Sequence, residues 1–335
     1  MRQPASAPMN NQRMSSVSAR APVRHAVFPV AGFGADFLPA TKACPKEMLP
    51  IIDRPMIQCA VEEAAAAGLT RMIFITGRGK RAIEDHFDRA YELEHELAAR
   101  DDADALKDLR SAVPAGVTFS YIRQRQATGL VDALRMARPL IGDDPFAVIL
   151  PDQLFDGERS ALSQLLDVFD EQRLSVVGAE RVRPGVREGS HVIGADLHTS
   201  AIKAARALVR VPPIDVAFDS FATAGRFVFT PAAWSAFEHA ANARSGESSL
   251  VDAIRNLMER ERVFACLVDG RRFDCGTKLG YLEAQVAFAR KRPDLWNELR
   301  RSFDDFMTTP PPARERTARS VADAGAPSRP TEAQA

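Results

Sequence analysis

The chain has 335 residues, of which 46% are apolar and 26% are charged, a composition that excludes an intrinsically disordered or collagen-like protein. Its 44 basic and 44 acidic residues give a formal net charge of zero, which excludes a global attraction to nucleic acid or anionic lipid. No apolar run approaches the roughly 20 residues that a membrane helix requires. We therefore expect neither a nucleic-acid partner nor a membrane partner.

The first elements predict a βαβ unit. The apolar segment HAVFPV, residues 25–30, reads as a buried strand that leads directly into a glycine-rich turn. Residues 56–67, MIQCAVEEAAAA, have helical spacing and composition, and Gly68 is well placed to end that helix. The next strand is RMIFIT, residues 71–76. A strand, a glycine loop, a helix and a strand in this order indicate a parallel sheet.

The same alternation continues along the chain. A charged helical stretch covers about 80–110, and helices are expected near 130–137, 231–241, 248–260 and 279–306, the last with a break near Pro293. Strands are expected at 116–122, 146–151, 175–180, 225–230 and 263–269, with antiparallel hairpin strands within 191–211. This pattern predicts an α/β protein with an open, mostly parallel Rossmann-like sheet flanked by helices and carrying an antiparallel insertion. Asp152 follows a strand, at the sheet edge where ligands collect in such folds.

The two ends of the chain differ in composition from the middle. Residues 1–22 carry arginines and serines but no acid, and residues after about 306 are rich in proline, alanine and charge without periodicity. We expect disordered tails at 1–22 and 307–335, with one domain at 23–306. The four cysteines show no CxxC spacing, so we expect reduced thiols and a cytoplasmic location.

The turn PVAGFG, residues 29–34, is typical of a loop that holds phosphates through its backbone amides. A dinucleotide-binding fingerprint would need a small residue at position 37, where Phe37 stands. No GKS or GKT follows at the spacing of a Walker loop. The remaining interpretation is a nucleotide phosphate loop followed by two cations, Lys42 and Lys46.

Several ordered blocks carry a specific resemblance. PATKACPKEMLPIIDRPMIQ, preceded by GFG, resembles the signature of bacterial UTP:glucose-1-phosphate uridylyltransferases, members of the sugar-nucleotidyltransferase superfamily. Further blocks follow in the family's order: HFDRAYELE (86–94), IRQRQATGL (122–130), GDDPFAVILPD (142–152), GRFVF (225–229), GESSLVDAI (246–254) and FDCGTKLGY (273–281). The resemblance implies a nucleotidyltransferase-like domain that acts on UTP and glucose 1-phosphate, or another sugar 1-phosphate, with Mg²⁺.

Carried over position by position, the resemblance implies a nucleotide side and a sugar-phosphate side. The implied nucleotide contacts are Ala31, Gly32, Gly34, Glu47, Gln124 and Gly129, of which Gln124 and Gly129 would face the uracil. The implied catalytic residues are Lys46, which would lie against phosphates, and Asp152, which would bind Mg²⁺. The implied sugar-phosphate residues, less sharply assigned, are Arg210, Asp274 and Lys278.

The sequence also departs from the family pattern. Ala35 and Asp36 stand where the resembled loop has a threonine and an arginine that grips the triphosphate. Replacing a cation by an anion removes an attraction and adds a repulsion, each about 4 kcal/mol at about 4 Å and an effective dielectric of about 20, before solvent screening. Asp36 has two milder alternatives, pairing with Lys42 or Lys46, or pointing to solvent.

The sugar side departs as well. Arg210 and Val211 replace the glutamate and lysine of the family's VEKP block, and His191 replaces a glycine that lies near the hexose. Arg210 remains able to reach a phosphate, with a geometry that differs from that of lysine.

Two functions therefore stay open. The first is a nucleotidyltransferase of the UTP:glucose-1-phosphate type, with weakened turnover or an altered sugar. The second is a non-catalytic regulatory paralogue that binds nucleotide or UDP-sugar and associates with an active homologue. The resemblance also implies homo-oligomers.

Overall fold

The computed structural model describes residues 21–181, 191–194, 200–210, 221–242 and 250–308. The chain divides after Ala289 into two compact units. In the second unit the described helix is α11 (Pro293–Thr308), and the guanidinium carbon of Arg290 lies 5.6 Å from the centre of the Trp296 ring. The predicted domain limits at 23–306 and the two predicted tails stay predictions.

The first unit alternates strands and helices. Its described strands are β1 (His25–Pro29), β2 (Pro50–Ile51), β3 (Arg54–Pro55), β4 (Arg71–Thr76), β5 (Thr118–Arg123), β6 (Phe146–Ile149), β7 (Gln153–Asp156), β8 (Val176–Arg181), β9 (His191–Gly194), β10 (Ile202–Ala204), β11 (Ala207–Arg210), β12 (Phe221–Phe229), β13 (Phe264–Leu267) and β14 (Arg271–Asp274). Its described helices are α1 (Met56–Ala66), α2 (Arg81–Phe87), α3 (Tyr91–Ala99), α4 (Ala103–Ser111), α5 (Leu130–Arg135), α6 (Arg138–Ile141), α7 (Ala161–Gln172), α8 (Ala232–Asn242), α9 (Leu250–Met258) and α10 (Lys278–Ala289). Single-turn 3-10 helices, Ala35–Phe37, Ala40–Lys42 and Lys46–Met48, lie between β1 and β2.

The main sheet confirms the predicted α/β class. Its path through the described strands is β10, β13, β8, β12, β6, β1, β4, β5. Along this path β10 and β12 run antiparallel to their neighbours, and the other pairs are parallel. β9 pairs antiparallel with both β11 and β12, which gives the predicted antiparallel insertion.

Helices cover both faces of this sheet, which explains why its central strands are almost wholly apolar. Successive side chains of β1 point to opposite faces: Val27 packs in a core with α5, α8 and α9, whereas Ala26 and Phe28 pack with α1, α2 and α7. All three are 0% exposed. Because β1, β4, β5 and β6 are parallel, the loops that follow them meet at one edge of the sheet.

The structure corrects the sequence-based assignment between residues 152 and 175. No helix is predicted there, but the chain forms α7. The start of α7 is capped by Ser160, whose Oγ accepts a hydrogen bond from the Ser163 amide at 3.1 Å. Its buried residues Leu162, Leu165 and Phe169 recur at helical spacing. Both signals are present in the sequence, so this helix is predictable in principle.

Two further assignments differ in detail. The single helical stretch expected at 80–110 is three helices, α2, α3 and α4, and Asp102 caps the last of them by accepting from the Ala105 amide at 3.0 Å. Of the predicted hairpin strands, β9 and β11 do pair, but β10 pairs with β13 at one end of the sheet's path. In the described part of the chain, no helix has both the length and the apolar character of a membrane span.

The four cysteines are free thiols of different accessibility. Burial raises the pKa of Cys59 and of Cys275 to about 12 and that of Cys266 to about 11. Since the thiolate is the nucleophile, we expect a disulfide reagent at neutral pH to modify Cys44 well before the other three. The reagent releases one thiol for each protein cysteine that it modifies. Following this release over time, in wild type and in Cys44→Ser, checks the expectation. A fast phase of two or more thiols, or one that survives in Cys44→Ser, would contradict it.

Candidate functional site

The loop after β1 lies at the carboxyl edge of the sheet and is shaped by Gly34. Gly34 has a left-handed backbone with φ of 68°, and its carbonyl accepts a hydrogen bond from Thr41 Oγ1 at 2.7 Å. A Cβ built on Gly34 would lie 3.0 Å from the Cβ of Lys46, so the absence of a side chain lets the loop approach that lysine closely. Throughout the described ranges, the amides of Gly32 and Gly34 donate to no other group of the chain. These amides are therefore available to an anion.

Lys46 and Asp152, the two predicted catalytic residues, are in direct contact. The Lys46 Nζ donates to Asp152 Oδ2 at 2.7 Å, and the side chains are only 15% and 22% exposed. Burial by itself would lower the pKa of Lys46, but the charge and hydrogen bond of Asp152 outweigh burial and raise it. Burial would likewise raise the pKa of Asp152, yet Lys46 holds that pKa below its usual value. Both groups are thus charged over the physiological pH range.

Gln153 joins Asp152 to a second carboxylate, that of Asp274. Its Nε2 donates to Asp152 Oδ1 at 3.3 Å and to Asp274 Oδ1 at 3.1 Å. The Cys275 amide also donates to the Asp152 carbonyl at 2.8 Å, next to the antiparallel pairing of β7 with β14. Asp274, predicted on the sugar-phosphate side, therefore stands beside the predicted metal ligand. Neither Gln153 nor this juxtaposition is predicted from the sequence.

This carboxylate pair fits a magnesium ion. Mg²⁺ in enzymes is commonly held by one or two carboxylates, with substrate phosphates and waters completing its shell. Among the described residues, no group of three or more His, Cys, Asp or Glu side chains is arranged to hold a metal ion. Asp152 and Asp274 would therefore suffice only for an ion that takes its other ligands from substrate and water.

Glu47, a predicted nucleotide contact, already forms an ion pair within the protein. Its Oε2 accepts a hydrogen bond from Lys80 Nζ at 2.6 Å, and the two side chains are 6% and 5% exposed. Lys80 precedes α2 in the loop after β4, at the start of the predicted charged helical stretch, and no local pattern marks it as the partner of Glu47. The pair ties the loop after β4 to the residue next to Lys46.

Gln124 and Gly129, predicted to face uracil, lie together in the loop after β5. The Gln124 Nε2 donates to Thr128 Oγ1 at 3.2 Å and to the Gly129 carbonyl at 3.5 Å. Gly129 has a φ of 107°, a conformation that favours glycine, and immediately precedes α5. This loop adjoins the loop after β4, since the Gln124 amide donates to the Thr76 carbonyl at 2.8 Å. That Gln124 and Gly129 face uracil stays a prediction.

The remaining predicted residues are not brought to the Lys46 and Asp152 pair by any described contact. Lys278 is exposed at the start of α10, where it lines a cavity of about 540 Å³ together with Phe37 and Tyr281. The backbone of Arg210 pairs with that of His191 in the ladder of β9 and β11. Val211 lies outside the described residues.

Asp36 is exposed and lies close enough to the site to act on it electrostatically. Burial lowers the pKa of Lys46, whereas the negative charges of Asp152 and Glu47 raise it. The charge of Asp36, an exposed residue, also contributes to raising this pKa. A carboxylate that acts on Lys46 is the opposite in charge of the arginine that the resembled loop carries at this position.

Comparisons with known proteins identify the family of this chain. The nucleotidyl transferase family matches residues 26–291. A UTP–glucose-1-phosphate uridylyltransferase of Bacillus subtilis (strain 168) is 41% identical over 280 residues, which are 83% of this chain and 94% of the relative.

Two solved structures are similar over most of the chain. A UTP-bound UGPase from Acinetobacter baumannii has a TM-score of 0.78 and 33% identity, over 84% of this chain and 99% of that one. A UDP-glucose pyrophosphorylase complexed with UDP-glucose has a TM-score of 0.72 and 36% identity, over 81% and 100% of the two chains. The chain therefore belongs to the nucleotidyl transferase family and, within it, to the UTP–glucose-1-phosphate uridylyltransferases, or UDP-glucose pyrophosphorylases.

Proposed function

We propose that the protein transfers a uridylyl group from UTP to glucose 1-phosphate, forming UDP-glucose and releasing pyrophosphate. The observation that carries this proposal is the 2.7 Å contact of Lys46 with Asp152, two residues 106 positions apart, beside the glycine loop. An oxygen of the sugar phosphate attacks the α-phosphorus of UTP, and the bond from that phosphorus to the pyrophosphate oxygen breaks. Such a reaction depends on positioning and on positive charge near the phosphates.

Each part of the site has a role in this reaction. The amides of Gly32 and Gly34 and the ammonium group of Lys46 bind phosphate oxygens. Asp152 and Asp274 would hold Mg²⁺, which when bound supplies positive charge to the phosphates. The carboxamide oxygen of Gln124 accepts no hydrogen bond from the residues that the structure describes, so it is available to the N3–H of uracil.

A direct assay tests this proposal. Purified protein is incubated with UTP, glucose 1-phosphate and Mg²⁺, and pyrophosphate release is followed. We expect turnover that needs both substrates and the metal, with UDP-glucose as the second product. Parallel reactions with other sugar 1-phosphates and other nucleoside triphosphates test the assignment of glucose and uracil. Absence of pyrophosphate with every pair would overturn the proposal.

A second candidate, a non-catalytic paralogue that binds nucleotide or UDP-sugar and regulates an active homologue, rests on Asp36. Its carboxylate is near enough to affect the pKa of Lys46, where the family loop has a cation. This placement weakens the attraction of the site for a triphosphate and for the charge that develops on pyrophosphate. UDP-glucose that raises the melting temperature without any turnover would favour this candidate.

Replacing Asp36 by arginine is expected to raise kcat/KM for UTP by about 10- to 100-fold, because a repulsion becomes an attraction at an exposed, partly screened position. Activity should stay below that of typical relatives, since Arg210 and Val211 still replace the sugar-side pair. Steady-state pyrophosphate release measures both effects.

Asp104→Arg, at an exposed position of α4, makes the same change in net charge away from the site and serves as the control. An equal gain in that variant, or no gain in Asp36→Arg, would contradict the role given to Asp36. Complete rescue by Asp36→Arg would contradict the role given to the sugar-side replacements.

Self-association, association with an active paralogue and a cytoplasmic location stay predictions. Light scattering of the purified protein, alone and mixed with an active relative, tests the first two.

A further inference from the structure

Arg226 in β12 is a fully buried arginine, 0% exposed, which is rare unless the charge is paired. Its partner is Glu63 of α1: the Nε donates to both carboxylate oxygens at 3.2 and 3.1 Å, and Nη2 donates to Oε2 at 2.7 Å. Glu63 Oε1 also accepts from the Leu162 amide at 2.9 Å, at the start of α7. The ion pair therefore has its charges and its hydrogen-bonding groups well satisfied.

The terminal nitrogens of the Arg226 guanidinium also donate hydrogen bonds to the turn that carries Asp152. Nη1 donates to the Leu150 carbonyl at 3.1 Å, and Nη2 donates to the Gln153 carbonyl at 2.7 Å. These carbonyls flank Asp152 on its two sides. The side chain of Gln153 donates to the carboxylates of both Asp152 and Asp274. By holding the backbone of Gln153, Arg226 therefore also influences where these two carboxylates lie.

The position of Arg226 depends on an irregularity in β12. Thr223 pairs with Ala179 and Phe227 with Val177, so β12 contains two more residues than β8 over this interval. Such bulges re-aim side chains next to functional sites. Here the bulge contains Gly225 and Arg226.

Gly225 is the other requirement. It has a φ of 70°, and a Cβ built on it would lie 2.6 Å from Cγ of Gln153. Its carbonyl also accepts from the Leu150 amide at 3.0 Å. Because Gly225 has no side chain, the turn at 150–153 can lie against β12. Arg226 then donates hydrogen bonds to the carbonyls at both ends of that turn.

We propose that Arg226 is a positioning residue for the reaction. Through the carbonyls of Leu150 and Gln153 it holds the turn that carries Asp152 and the carboxamide of Gln153, which contacts both Asp152 and Asp274, the two residues that would hold Mg²⁺. This inference rests on the proposed function for its link to turnover. Its link to the metal is independent of turnover, because UTP binding alone reports it.

The test compares wild type with Arg226→Lys, which keeps the positive charge but loses the planar fork that reaches two carbonyls and a carboxylate together. Calorimetry measures UTP affinity with Mg²⁺ and with EDTA. We expect the Mg²⁺ concentration for half-maximal UTP binding and turnover to rise about 10- to 100-fold, as for other residues that orient metal ligands. The affinity for UTP in EDTA should change by less than about twofold, because Lys46 and the glycine loop are untouched.

Two further variants separate positioning from stability. Val228→Ala makes a cavity at a fully buried residue of the same strand, away from the turn, and should lower the melting temperature without changing the Mg²⁺ requirement. Arg226→Met combined with Glu63→Gln removes both buried charges together, which avoids an unpaired one if Arg226→Lys does not fold. That double variant should show the same increase in Mg²⁺ requirement.

The outcomes separate this inference from the proposed function. If wild type binds UTP with Mg²⁺ but does not turn over, the proposed function fails while the binding data still decide the role of Arg226. An unchanged Mg²⁺ requirement in the Arg226 variants, whatever their melting temperatures, overturns the inference. It is equally overturned if Mg²⁺ has no effect on UTP binding by wild type.

Discussion

Asp152→Asn is expected to lower kcat/KM by about 1,000-fold, which corresponds to about 4 kcal/mol of lost transition-state stabilisation. The change keeps the size of the side chain but removes the charge that pairs with Lys46 at 2.7 Å and that would hold Mg²⁺. Pyrophosphate release at saturating Mg²⁺ measures the effect. Asp104→Asn, an exposed acid on α4, is the matched control and should retain activity. Retention of more than about a tenth of wild-type activity by Asp152→Asn would remove Asp152 from the catalytic site.

The pH dependence of stability gives a second readout for the same variant. Because the folded state lowers the pKa of Asp152, its contribution is complete above the unfolded pKa of about 3.9 and is lost as pH falls through the lower folded value. Lys46 has a raised pKa, so its contribution is lost only as pH rises above about 10.4. Urea unfolding of wild type and Asp152→Asn should therefore differ near pH 7 and converge in acid.

Lys80→Met is expected to lower the free energy of unfolding by about 3–5 kcal/mol, because it leaves the carboxylate of Glu47 buried without its partner. The two side chains are 5% and 6% exposed and 2.6 Å apart, so water cannot readily replace the lost ammonium group. Urea unfolding at pH 7 measures the change. UTP binding should weaken at the same time, since Glu47 is adjacent in sequence to Lys46.

A matched pair of variants controls this prediction. Arg100→Met removes an exposed ion pair with Glu96, in which the side chains are 70% and 56% exposed, and should cost at most about 1 kcal/mol. Lys80→Met combined with Glu47→Gln should recover most of the stability, because no buried charge is left unpaired. Equal losses in Lys80→Met and Arg100→Met would show that the Glu47 pair is solvated.

The fold was predictable because its signals are local. β4 matches the predicted strand at 71–76, and α1 lies within the predicted helix at 56–67, before Gly68 with a φ of 88°. Apolar runs, helical spacing and glycine stops each act within about ten residues. α7 carries the same kinds of signal, including the Ser160 cap. By contrast, the place of β10 on β13 depends on a partner about sixty positions away, and no local pattern specifies it.

The residues of the candidate site also fall into two groups: those that a local sequence pattern marks, and those whose role depends on a partner distant in sequence. Motif blocks pointed to Lys46, Asp152, Gln124 and the glycine loop, because those residues lie within recognisable segments. Lys80 has no such signal, since nothing near it in sequence marks it as the partner of Glu47. Arg226 lies inside GRFVF, a block that carries the family resemblance but no local sign of the contacts that the arginine makes.

The α/β class, the glycine-rich turn after β1 and the acid at position 36 can all be read from the sequence. The contact of Lys46 with Asp152, the bridge from Gln153 to Asp274 and the hydrogen bonds of Arg226 to the turn at 150–153 are visible only in the folded chain. The physical reason is that periodicity and turn chemistry are set by neighbours along the chain. Ion pairs and carbonyl contacts at the carboxyl edge form only after strands distant in sequence have been assembled into one sheet.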